Sequence, residues 1–152
     1  MKCILRFFHK IFYPRNVIKL PIDNEWCDKD HLLLEACFKI LVDFVTVECA
    51  RMYFISFPQQ IPMFFWMLTE QQREMYGLEY LTVNLEEQEP KRQEYTNKLI
   101  SLYMWWLYER EDAQHIPIEI PAVEYMNKEY DLYLNDSSKL KELIDIREIM
   151  WT

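Results

Sequence analysis

His31 and Glu35 carry the strongest chemical signal in the chain, because an imidazole and a carboxylate at i and i+4 share one helix face and could share a metal ion. Cys27 falls one turn before them and Asp43 two turns after. A carboxylate metal centre in a helical bundle needs a carboxylate and a Glu-x-x-His pair repeated from a second helix. None of the three histidines, His9, His31 and His115, belongs to a Glu-x-x-His, so neither a metal nor another cofactor is expected. A Cys27 thiolate activated by His31 is the other chemistry these residues could do. It would need an activating surround and an oxyanion hole, and the sequence suggests neither. Gly77 is the only glycine, which excludes Gly-rich phosphate loops and with them P-loop and dinucleotide-fold enzymes. No catalytic residue is assigned, and a non-enzymatic role is favoured.

The candidate polar stripe His31, Glu35 and Asp43 has a simpler reading. Glu35, Lys39 and Asp43 follow one another at steps of four, so the charges alternate along a narrow line facing water. Alternatively the stripe joins a polar network with a neighbouring helix, in which Asp43 meets Arg147 or a tyrosine hydroxyl.

The element that must position these residues runs from Trp26 to Arg51. Its sequence is apolar nearly all round, which places a helix in the middle of a bundle. Charges interrupt it too often for a membrane span. Asp28 is expected to cap it and Asp30 to favour its positive end.

Composition points the same way. With 51% hydrophobic residues in 152, the chain can bury a sizeable core, and disorder is not expected for most of it. One glycine, against an average near 7%, leaves too few turn formers for an up-and-down β protein. The net charge of −8 argues against general nucleic-acid binding. Cys3, Cys27, Cys37 and Cys49 form no CxxC pair and read as reduced, buried thiols of a cytosolic protein. Charges within FFHKIFYPR leave no apolar core for a secretory signal.

The charge is unevenly spread, since Lys2, Arg6, Lys10, Arg15 and Lys19 all precede the first acid, Asp23. Residues 1–14 form a basic amphipathic arm, with Ile4, Leu5, Phe8, Ile11 and Phe12 at helical spacing and Pro14 as its stop. It suits covering a bundle or docking on a partner, and less well lying on a membrane surface. Residues 14–26 read as extended.

Beyond Arg51, MYFISF is either a strand or the end of the central helix. Pro62 is expected to open a helix reaching Tyr76, with Gly77 as its C-terminal left-handed residue. Met63 to Leu68 is a continuous apolar run, more than one helix face requires, so either both its sides are buried or part of it is a docking patch. LEYLTVNL (78–85) alternates weakly and could pair with MYFISF as a ribbon. Pro90 should open a helix through Tyr95, Leu99, Leu102, Tyr103 and Trp106. Trp105 and Trp106 read as core rather than as a base-stacking platform, because the flanking EREDA is acidic. A further pattern runs through Val123, Met126, Tyr130, Tyr133 and Leu134, followed by a last helix that Asp136, Ser137 or Ser138 could cap.

PRN (14–16), WCDKD (26–30), LVDFV (41–45) with Glu48, LYMWW (102–106) and IREIMWT (146–152) occur in that order. Together they resemble a family of proteins encoded by tailed bacteriophages, for which no activity is assigned. The resemblance spans nearly the whole chain except residues 53–68. It implies viral origin and action in a bacterial host or in a virion, and it brings no site residues.

The expectation is therefore a single mainly α domain over 1–152: a compact bundle of about five to six helices around a central apolar helix, with a small β-ribbon as an option. Its expected role is that of a phage accessory protein in the host cytoplasm, binding a host or phage protein to redirect or inhibit a host system. The candidate interaction surface comprises Arg6, Phe7, Phe8 and Lys10 on the arm, and Phe64, Phe65 and Trp66 in the apolar run. A virion component and a small-molecule or nucleotide binder are the alternatives.

Overall fold

A computed structural model describes residues 29–58, 64–83, 85–110 and 120–150. Among them the chain is mainly α-helical, with four long helices and no strand. Helix α1 runs as an α-helix over Lys29–Asp43, a π-helical turn over Phe44–Cys49 and a further α-helical segment over Ala50–Ser56. Helix α2 is Glu70–Thr82. Helix α3 is Pro90–Met104, continuing through a π-helical turn at Trp105–Glu109 to Arg110. Helix α4 is Ala122–Asp145, and short 3-10 turns occupy Phe65–Met67, Leu85–Glu87 and Arg147–Met150.

Helix α1 is the spine, packing against all three others. Leu34, Phe38, Leu41, Val45 and Cys49 line its buried face, with Leu81 from α2, Leu99, Leu102, Tyr103 and Trp105 from α3, and Leu143 and Ile146 from the end of α4. A second small cluster forms where Tyr53 meets Leu68, with Phe54, Phe57, Phe65 and Tyr76 around it. MYFISF thus completes the central helix rather than making a strand.

The expected helix beginning at Pro62 gives way to one beginning at Glu70. Thr69 and Gln72 form a capping box: the Gln72 N–H donates to Thr69 Oγ1 at 3.2 Å, and the Thr69 N–H donates to Gln72 Oε1 at 3.0 Å. That start satisfies two backbone donors, which Pro62 could not do; Pro62 itself lies outside the described residues. Nor does the helix stop at Gly77. It continues through Leu78, Tyr80 and Leu81 to Thr82, whose hydroxyl donates back to the Leu78 carbonyl at 3.1 Å, so no ribbon forms.

Gly77 has a different reason to be glycine. A Cβ at this position would stand 2.1 Å from the Val45 carbonyl oxygen and 2.9 Å from its carbon, both backbone atoms of the α1 π turn. The missing side chain lets α2 lie directly on α1. Pro90 does occupy the first turn of α3. The last two expected helices are one, because Asp136 to Ser138 sit inside α4 instead of capping a new helix. The four long helices among the described residues therefore replace the expected five to six. The expected arm over 1–14 and the start of α1 between Trp26 and Asp28 lie outside the described residues.

Two outcomes follow from this packing. Gly77→Ala gains roughly 1 kcal/mol of helix propensity but drives a methyl into backbone that cannot rotate aside. A net loss of about 2 kcal/mol, read as a lower urea midpoint, is expected. Cys49 is 2% exposed, and burial first, then Glu48, pushes its thiol up to about 12. The unfolded thiol releases its proton near pH 8.5 to 9 while the folded one keeps it, so this contribution is complete below that range and is lost as pH rises toward 12. Urea titrations should show stability falling by about 1 kcal/mol between pH 9 and pH 10, with a smaller fall in Cys49→Ala.

Candidate functional site

The polar stripe of α1 divides between two environments. Lys39 Nζ donates to Asp43 Oδ1 at 2.9 Å at the surface, so Asp43 meets neither Arg147 nor a tyrosine. Arg147 instead donates to the Ile144 carbonyl at 2.7 Å, satisfying the end of α4. Glu35 turns inward, toward a cation that sequence reasoning did not single out.

That cation is Arg110, whose side chain is only 8% exposed. Its Nε and Nη2 donate to the two Asp136 oxygens at 3.2 and 3.1 Å, the bidentate geometry that a planar guanidinium favours. Its Nη1 donates to Glu35 Oε1 at 3.4 Å. One arginine therefore joins α1, α3 and α4. Its guanidinium also lies 4.3 Å from the Trp106 ring centroid, and Trp106 stacks on Phe38 at 4.5 Å with an interplanar angle of 14°. Trp105 closes on the same phenylalanine at 5.3 Å, so both tryptophans serve the core.

The π turn preceding Arg110 is what delivers it. The Arg110 N–H donates to the Trp105 carbonyl, five residues back, and one residue is absorbed before the side chain swings onto the face that carries Trp106. A signal for this network existed in the sequence: Asp136 shares a face with Leu132, Leu140 and Leu143 at steps of four and three, and an acid on a buried face requires a cation.

His31 Nε2 lies 3.7 Å from Glu35 Oε1 on the outer side of the network. Beside it, a cleft of about 320 Å³ opens between α1 and α4, lined by Asp30, His31, Leu33, Tyr133, Asp136 and Ser137. Its two carboxylates, Asp30 and Asp136, and the pairing of Arg110 with Asp136 and Glu35 disfavour a phosphate or other anionic ligand. Among the described residues, no group of three or more His, Cys, Asp and Glu side chains could hold a metal ion. Cys27 lies outside the described residues, so the Cys27 and His31 pairing has no geometry here.

The second candidate region is the turn between α1 and α2. Phe65 packs edge-on against Phe54 at 6.3 Å, and the guanidinium groups of Arg51 and Arg73 each stand 5.5 Å from its centroid. With Phe65 held down, its neighbours point away: Phe64 is 61% and Trp66 69% exposed, and their rings stack on each other at 4.7 Å and 5°. Met67 is exposed as well. Arg6, Phe7, Phe8 and Lys10, the arm's part of the candidate surface, lie outside the described residues.

Removing Arg110 should leave two half-buried carboxylates facing each other. Arg110→Ala is expected to cost about 3 kcal/mol in urea unfolding, whereas Asp43→Ala, which breaks only a surface pair, should cost under about 1 kcal/mol.

No helix among the described residues is long and apolar enough to cross a membrane. No family model, curated protein or solved structure matches the chain.

Proposed function

We propose that the chain is an accessory protein of a tailed bacteriophage that works in the host cytoplasm by binding a protein, in the manner of a host-takeover or anti-defence factor. The phage origin rests on the sequence resemblance described above. The binding role rests on one observation: Phe64 and Trp66 form a stacked aromatic pair standing in solvent, on a turn anchored by Phe65.

Two large rings exposed together are costly to hydrate, and an exposed tryptophan is a common interface anchor. Arg51 and Arg73 lie close to the turn and would favour a partner that offers an apolar pocket with an acidic rim. The turn needs little rearrangement to bind, because its rings already hold each other in place, and that lowers the ordering cost of association.

The test is a double substitution, Phe64→Ala with Trp66→Ala. Both side chains are exposed, so the melting temperature should hardly move, as for surface changes within about 0.5 kcal/mol. Quantitative capture from bacterial lysate should fall at least tenfold relative to the parent chain; equal capture of the same proteins by parent and variant would refute the role of this patch.

A further inference from the structure

Helix α4 has two apolar faces, and the bundle uses one. Asp136, Leu140 and Leu143 face the other helices. About a third of a turn away, Val123, Met126, Tyr130, Tyr133 and Leu134 form a second stripe at steps of three and four. All five are exposed, Val123 at 72% and Met126 at 67%. A bare stripe of this length along more than three turns is unusual on a helix surrounded by water. Its edges are acidic: Glu129 borders one side, Asp131 and Glu124 the other, and Lys128, the one basic residue between Ala122 and Leu134, is paired with Glu124 at 3.2 Å.

We infer that this stripe is the docking face for residues 2–13 of the same chain. Three observations select that occupant. The first is chemical. Residues 2–13 place Ile4, Leu5, Phe8, Ile11 and Phe12 at helical spacing beside Lys2, Arg6 and Lys10, with no acid, which complements an apolar stripe with acidic borders. The second is length. Twelve residues as a helix span about 18 Å, and Val123 to Leu134 covers about the same distance. The third is the tether. The start of α1 lies against the end of the stripe, since Asp30 and His31 share one cleft with Tyr133 and Ser137. The fifteen residues between Tyr13 and Lys29 reach at most about 50 Å, ample to lay the segment along the face. An occupant tethered this closely has an effective concentration in the millimolar range, far above that of any free protein at ordinary concentration.

This inference stands apart from the proposed binding role of Phe64 and Trp66, because it concerns another face and needs no external partner. It is tested by backbone amide exchange on the full chain, comparing the parent with the variant Lys2→Glu, Arg6→Glu, Lys10→Glu. Amides of residues 122–134 should exchange at least tenfold faster in the variant, while those of Leu99 to Tyr103 stay unchanged and show that the bundle is still folded. Adding Glu124→Lys, Glu129→Lys and Asp131→Lys to the same chain should restore slow exchange. Unchanged exchange of 122–134 in the arm variant would overturn the inference. So would protection that grows with protein concentration, which would mark a second copy as the occupant, or protection that needs anionic vesicles.

Discussion

A single helix has to keep one face buried over nearly the whole length of the bundle, and a regular α-helix cannot do that with the residues this chain supplies. The larger buried side chains of α1 are Leu34, Phe38, Leu41, Val45, Cys49 and Tyr53, which from Leu41 onward recur at steps of four, with Ala50 buried beside Cys49. At about 100° per residue, twelve residues would carry Tyr53 roughly 120° away from Leu41. The π turn at Phe44–Cys49 absorbs one residue, with the Ala50 N–H donating to the Val45 carbonyl, and cuts the drift to about 20°. The Thr46 hydroxyl donates to the Val42 carbonyl at 2.8 Å inside the same turn, supplying a partner where the backbone ladder shifts. Everything that packs on α1 depends on that adjustment. Helix α2 crosses it there, and the glycine that permits the crossing faces the carbonyl that the π bond uses.

The same device recurs in α3 for another purpose. Its π turn brings Trp105, Trp106 and Arg110 toward α1, and the result is a column in which a guanidinium lies over an indole and the indole over a phenylalanine. The ion pairs of this column depend on register. A buried arginine loses its water, and only correct placement of Asp136 and Glu35 offsets that loss, so a misregistered α4 would leave the charge bare. Helix α2 is linked to α3 in a gentler way, through the Tyr108 hydroxyl donating to Glu74 at 2.7 Å, with burial and then Glu74 holding the Tyr103 hydroxyl above the usual tyrosine range.

Much of this was legible in the residues, and the failures have physical causes. The apolar face of α1 and the proline start of α3 follow from periodicity and from the geometry of proline, both local. The start of α2 was legible too, yet two local rules competed, and the Thr69 and Gln72 box outweighed Pro62 because it satisfies backbone donors. Gly77 was read by its commonest local role, whereas its actual role is set by another helix. The alternation through Leu78 to Leu85 resembled a strand only because a few polar residues fell at even steps. On the side of the site, Phe64, Phe65 and Trp66 stood out as a surplus of apolar surface, but which ring would be buried depended on Phe54, Arg51 and Arg73. Arg110 and Asp136 were missed because each is unremarkable until the other is placed, 26 positions away.

The distances along the chain over which these contacts close differ widely, and that orders the folding reaction. Helix α2 meets the second half of α1 within a stretch of about 40 residues, so their pairing closes a short loop at small entropic cost. The bond from Arg110 to Glu35 spans 75 positions, and together with the pair to Asp136 it requires α1, α3 and α4 all to be present. The helical hairpin centred on Gly77 is thus suited to form early, as a nucleus, and the guanidinium column to lock late. A contact made after the transition state slows unfolding without hastening folding, so the column acts chiefly on how long the native protein persists once formed.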